Sequence, residues 1–137
     1  MRALIDTSSL LKKYVLEKGT KDFNAILNNI SEIILAPVTI LEVHSALERR
    51  LQENTIEPDD AKWIEKEFNF DYNFFGIVPW NEELMDESIK VIRKHHLKTL
   101  DGIQLSAGIK AEVSIFITSD KRLYAAAKKE LPDAALI

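Results

Sequence analysis

Short runs of consecutive apolar residues alternate along this chain with longer stretches in which apolar positions recur every three or four residues, the periods of strands and of amphipathic helices. Arg2–Ile5 is the first expected strand, closed by Asp6-Thr7-Ser8-Ser9, a cluster suited to capping a helix. Leu10, Leu11, Tyr14 and Val15 then fall at helical spacing, with Gly19 placed to stop that helix. Phe23, Ile26, Leu27 and Ile30 repeat the pattern. A second strand is expected over Ile33–Ala36, left through Pro37. Thr39 begins a long helix with the inner set Ile40, Val43, Leu47 and Leu51, broken by Asn54–Pro58. Asp59-Asp60 opens another, bearing Trp63, Ile64 and Phe68. Gly76–Trp80 reads as a third strand, with Leu84, Met85, Ile89 and Ile92 marking the helix after it. Leu100-Asp101-Gly102 opens a helix containing Ile103, Ala107 and Ile109. Val113–Thr118 is strongly β-like, Ser119-Asp120 starts a helix running to Lys129, and Ala134–Ile137 is a short last strand.

Alternation of this kind predicts an α/β fold, residues 1–137 forming a single domain with a central parallel sheet of four to five strands flanked by helices on both faces. An apolar content of 46% supplies a core, and only 4 Gly and 4 Pro leave no composition for a long linker. The absence of Cys excludes disulfides, Cys-ligated zinc, iron–sulfur clusters and thiol nucleophiles, and suits a reducing cytoplasm. Met1 to Asp6 meets charge before any long apolar run, so neither a signal peptide nor a membrane span is expected.

The acids fall where such a fold places ligands, beyond the carboxyl ends of parallel strands. Asp6 directly follows the first strand, and Asp120 follows the Ile115–Thr118 run by two residues. Glu42 lies one turn into the helix after the second strand, and Asp101 opens the helix before the Ile115 run. Two carboxylates about 4 Å apart repel by roughly 4 kcal/mol at an effective dielectric near 20, so a convergent set needs a counter-ion. Oxygen-only ligands select Mg²⁺ or Mn²⁺, ions that serve phosphodiester hydrolysis. Filled with cations, such a site makes the net charge of −4 a poor guide to partners.

Each acid also has a purely local reading. Thr39 and Glu42 are spaced as a capping box, Asp101 with Gln104 makes a comparable helix start, and Asp120 suits a plain N-cap. Asp6 is harder to read that way, because it ends an apolar strand that is expected to be central.

Four segments resemble the motifs of the PIN-domain nucleases, and within them the VapC-type toxins of prokaryotic toxin–antitoxin pairs. Leu4-Ile5-Asp6-Thr7-Ser8 is similar to the first motif and Val38-Thr39-Ile40-Leu41-Glu42-Val43 to the second. His96 to Ala107 resembles the third, and Phe116-Ile117-Thr118-Ser119-Asp120-Lys121-Arg122-Leu123 the fourth. Order, spacing and length agree over essentially the whole chain. The resemblance implies a Mg²⁺- or Mn²⁺-dependent endoribonuclease that forms a homodimer and is inhibited by a cognate antitoxin protein. It implies Asp6, Glu42, Asp101 and Asp120 as the metal-binding, catalytic acids, with the hydroxyls of Ser8 and Thr118 orienting them. Two positions depart from the pattern: Gly102 replaces the usual Ala and weakens the helix start, and Lys98 stands where Arg is frequent, losing bidentate phosphate geometry.

Substrate phosphates are expected on Lys12, Lys13, Lys98, Lys121 or Arg122, each of which also suits a solvated helix face. Arg49 and Arg50 match the dipole at their helix end. Adjacent histidines on a helix point apart, so His95 and His96 read as surface residues. Phe68, Phe70, Tyr72, Phe74 and Phe75 read as an oligomer interface rather than a base-stacking platform. A haloacid-type phosphatase would need a second Asp where Ser8 stands, and no Gly-rich phosphate loop exists. The remaining rival is a non-catalytic module that binds RNA or a partner.

Overall fold

The computed structural model describes all of residues 1–137. Five strands, β1 (Arg2–Ile5), β2 (Glu32–Leu35), β3 (Gly76–Ile77), β4 (Ile115–Thr118) and β5 (Ala134–Leu136), form one sheet in the order β3-β2-β1-β4-β5. Every pairing is parallel, with Ala3 opposite both Ile33 and Ile115. The chain builds outward from β1 to β3, then returns to the other side of β1 for β4 and β5. The strand order therefore reverses at the β1–β4 border, where open α/β sheets form a crevice at their carboxyl edge.

Alternating side chains of β1 feed two cores. Leu4 joins Ile34 and Phe116 beneath α5 (Glu82–His95), α6 (Thr99–Lys110) and α7 (Lys121–Glu130). Ala3 and Ile5 join Leu35, Ile115 and Ile117 on the opposite face. That face is covered by α1 (Thr7–Leu10), α2 (Thr20–Leu27), α3 (Thr39–Gln52) and α4 (Pro58–Tyr72). Ala3, Leu4 and Ile5 have no exposed surface, as expected of a strand covered on both sides. No helix is long and apolar enough to cross a membrane.

Several local expectations are revised. Gly19 does not stop the first helix; α1 tightens into a 3-10 turn at Leu11–Lys13, and Gly19, at φ +92°, precedes Thr20 and starts α2. The backbone angle there favours glycine, and a Cβ would also stand 2.9 Å from Cε of Lys12. The third strand is two residues long rather than five. Val78 still donates to Leu35 O at 3.0 Å, but Pro79 has no N–H with which to continue the ladder.

His95 is not a surface residue. Its side chain is only 7% exposed, and its Nε2 lies 2.8 Å from Glu130 Oε1, which Lys94 also reaches. The hydrogen bonds from Lys94 and His95 hold the Glu130 carboxyl below its usual range. His96 is exposed and turns the chain out of α5 at φ 54°. The aromatic set divides. Phe68 is wholly buried between Tyr14, His44 and Tyr72, whereas Phe70 and Phe74 pack on each other at 5.5 Å and face solvent.

Gly102 has a packing reason that the helix-propensity reading lacked. A Cβ at this position would run into Cγ1 of Ile92 and stand 2.8 Å from its Cδ1, so the glycine lets α6 lie directly against α5. Gly102→Ala should therefore destabilise the protein by about 1–3 kcal/mol despite the better helix propensity of Ala. Ile92→Ala removes both atoms that the new Cβ would meet, so in the double variant it should cost less stability than it does alone. Urea denaturation of the two single variants and the double variant measures both effects, and a Gly102→Ala protein more stable than the parent would contradict the packing account.

Candidate functional site

At the carboxyl end of β1 the backbone leaves the sheet and turns at once into α1. Asp6 stands at this corner, 5% exposed, its own N–H bonded to Ile117 O at 3.0 Å. Its Oδ1 accepts from Ser9 N at 3.0 Å, which caps α1, and from Ser8 Oγ at 3.1 Å. Its Oδ2 accepts from Thr118 Oγ1, at the end of β4, at 2.5 Å. Burial pushes the Asp6 carboxyl above its ordinary range, and these hydrogen bonds oppose that shift. Thr118 Oγ1 in turn accepts from Asp120 N at 3.0 Å. Asp120 is exposed and caps α7, its Oδ1 accepting from Leu123 N at 2.9 Å.

Asp101 lies in the first turn of α6, half-buried, and its carboxylate receives no hydrogen bond from the protein. Burial raises its carboxyl, and the negative charges of Asp120 and Asp6 raise it further. Lys98 and Arg122 pull it partly back. Asp6, Asp101 and Asp120 are thus close enough to act on one another's charge.

Glu42 stands across the crevice in the first turn of α3. Its Oε1 accepts from Thr7 Oγ1 at 2.9 Å and from Gln104 Nε2 at 2.8 Å. Thr39 is not a capping residue; α3 is capped by Val38 without a side-chain bond, and Thr39 Oγ1 is buried, accepting from Gln104 at 3.1 Å. Nor does Gln104 form a helix start with Asp101. Lys98 occupies the cap of α6 and Gln104 points inward to Glu42. The capping reading of Asp120 describes a bond that the structure contains, and Asp6, which was harder to read that way, also caps its helix through Ser9 N. Sequence reasoning gave Gln104 and Thr39 helix-capping roles only and did not single out the hydroxyl of Thr7, although Gln104 shares a turn with Asp101.

The donors fit a hard divalent cation, being carboxylate oxygens held in mutual repulsion. No three Asp, Glu or His side chains close into a ready-made cage. The carboxylates of Asp6, Glu42 and Asp120 each accept from N–H or O–H donors of the protein, and that of Asp101 accepts from none.

Beside Glu42 opens a cleft of about 700 Å³ lined by Thr7, Ser8, Lys12, Leu41, Arg49 and Arg50, among others. Arg49 follows Glu42 by two helical turns and so shares its face of α3, a spacing that marks it as part of the crevice wall as well as a helix-end charge. Arg50 Nη2 is held by Glu17 Oε2 at 3.1 Å. The expected phosphate contacts separate. Lys12 is largely buried and 3.5 Å from Glu17, and Lys13 is bound to Asp71 at 2.7 Å. Lys98, Lys121 and Arg122 remain exposed, with Arg122 donating to His96 O at 3.1 Å.

A family model described as the PIN domain matches residues 3–129. Among solved structures, the chain is similar to FitAcB from Neisseria gonorrhoeae, with 13% identity, a TM-score of 0.76, and coverage of 97% of this chain and 96% of the other. PAE2754 from Pyrobaculum aerophilum gives 17% identity and a TM-score of 0.69 over 97% of this chain and 89% of that one. A toxin–antitoxin complex from Klebsiella pneumoniae gives 18% and 0.67 over 90% of each. At these identities the likeness is one of fold. No curated protein matches the sequence.

Because the folded Asp101 carboxyl is raised, its ionised form opposes folding, and stability is lost as pH rises through a window that begins near the ordinary value of 3.8. Asp101→Asn should therefore raise the unfolding midpoint in EDTA at pH 7. The gain should shrink towards pH 3, where Asp101 is protonated in both states. Thermal melts of the two proteins across this range check it, and an Asn variant less stable at pH 7 contradicts the repulsion described here.

Proposed function

The chain belongs to the PIN domain family, and from that premise we propose that it is a divalent-metal-dependent endoribonuclease, the toxin of a type II toxin–antitoxin pair. The observation that carries this reading is Asp101, a carboxylate without a protein donor, raised first by its burial and then by two neighbouring acids. A cation is the simplest group to relieve it. Residues 1–137 act as one unit, in the cytoplasm, as a homodimer held in check by an antitoxin. The toxin–antitoxin complex among the similar folds supports that partnership without extending to its details.

Asp6, Glu42, Asp101 and Asp120 would hold Mg²⁺ or Mn²⁺. When bound, the metal supplies charge neutralisation at the phosphate and a lowered pKa for attacking water. The chain's own part is positional. Ser8 and Thr118 fix the Asp6 carboxylate against rotation, leaving Asp101 and Asp120 on the open side of the crevice. Lys98 and Arg122, near enough to influence Asp101, neutralise the scissile phosphate; Lys121 extends that edge. Arg49 and Arg50 guide the strand along the cleft beside Glu42. Lys12 acts there through its pairing with Glu17 rather than as a free cation.

The open arrangement of the acids equally suits the rival, a non-catalytic RNA- or partner-binding module. Incubation of total RNA with Mg²⁺ or Mn²⁺, with and without EDTA, separates the two. The nuclease reading expects cleavage that EDTA abolishes and that Glu42→Gln and Asp101→Asn each reduce by at least about 100-fold, beyond the 10–100-fold typical of outer-sphere losses. Asn caps a helix as well as Asp does, so a helix-start role predicts no loss in that variant. RNA bound by the parent protein but left intact with metal would favour the binding module.

A further inference from the structure

Gln104 carries an unexplained feature. It is 2% exposed, lies inside α6, and its Nε2 has three acceptors in reach: Glu42 Oε1 at 2.8 Å, Thr39 Oγ1 at 3.1 Å and Thr7 Oγ1 at 3.2 Å. Its Oε1, in contrast, is buried with no donor at all. An amide facing two hydroxyls has an obvious alternative, since a half-turn would let Thr7 and Thr39 donate to its carbonyl oxygen. That turn would also set the carbonyl oxygen 2.8 Å from a carboxylate oxygen, lone pair against lone pair. The Glu42 charge therefore dictates which way the amide points, and an orphaned acceptor is the result.

The geometry assigns to Gln104 the role of positioning residue for Glu42. Both hydrogen bonds to this carboxylate, from Gln104 and from Thr7, fall on Oε1. One oxygen is thereby pinned to the buried floor of the crevice and Oε2 is left free for a ligand. Gln104 is placed to do this because α6 also carries Asp101, one turn earlier. The same helix thus supplies one acid and aims another. This inference rests on the metal-site reading of Glu42 proposed above.

The test is Mn²⁺ binding by calorimetry on the whole chain without RNA, together with melting in EDTA. Gln104→Met keeps the volume and removes the donor. It should weaken Mn²⁺ binding by about 10-fold, the lower end for residues that orient a ligand. Its metal-free melting temperature should fall only modestly, because the orphaned oxygen is removed while the buried Thr39 Oγ1 loses its partner. In a Glu42→Gln background, Gln104→Met should weaken binding no further. If Met disrupts the fold, Gln104→Asn, one methylene short of Glu42, should show the same weakening. A Gln104 variant that melts lower yet binds Mn²⁺ like the parent would make the residue merely structural and overturn the inference. So would a 10-fold loss that persists in the Glu42→Gln background. Mn²⁺ binding unchanged by Glu42→Gln alone would instead remove the metal assignment of Glu42, and with it this role for Gln104.

Discussion

A buried carboxylate at the end of the central strand has to be solvated by the protein, and the rest of the carboxyl edge is arranged around that need. Asp6 is placed between the two cores, where an unpaired charge would cost several kcal/mol. Ser8, Ser9 and Thr118 answer with three donors from two separate segments. Meeting the charge also fixes architecture. Ser9 N starts α1, Thr118 ties β4 to β1 beyond the end of their ladder, and the same Thr118 hydroxyl takes Asp120 N and so sets where α7 begins. Ser9 Oγ and Ser119 Oγ, 2.9 Å apart, close the corner.

Around this anchored acid the crevice is polarised. Asp101 and Asp120 face one side with Lys98 and Arg122, while Glu42 stands opposite on α3, beside a cleft with Arg49 and Arg50 in its wall. Each wall pairs acids with cations. Gln104 reaches Glu42 from the helix that carries Asp101 and so links the two walls.

Much of the architecture was legible in residue order because hydrophobic period is a local property. β1 was readable to the residue, and β2, β4, β5 and the long helices to within a few, since each is an uninterrupted apolar run or a regular stripe. Misreadings occurred where a residue's local preference met a distant partner. Gly19 stops a helix as readily as it precedes one, and only the folded chain shows it starting α2. Gln104 and Thr39 had good local capping roles but bond each other instead, and Gln104 also donates to Glu42, 62 residues away in the chain. His95 looked exposed until Glu130, at the end of α7, came beneath it.

By itself the sequence determined the fold class, the order of its elements and the acids that fall at strand ends, because period and spacing do not depend on contacts far along the chain. Tertiary structure alone decided which carboxylate oxygens are engaged, that Asp101 is left without a donor, and that Lys12 is buried while Lys98 and Arg122 stay exposed. Those are matters of distance between segments far apart in sequence. Electrostatic energy depends on separation and local dielectric, and both exist only once β1, β4, α3 and α6 share one edge.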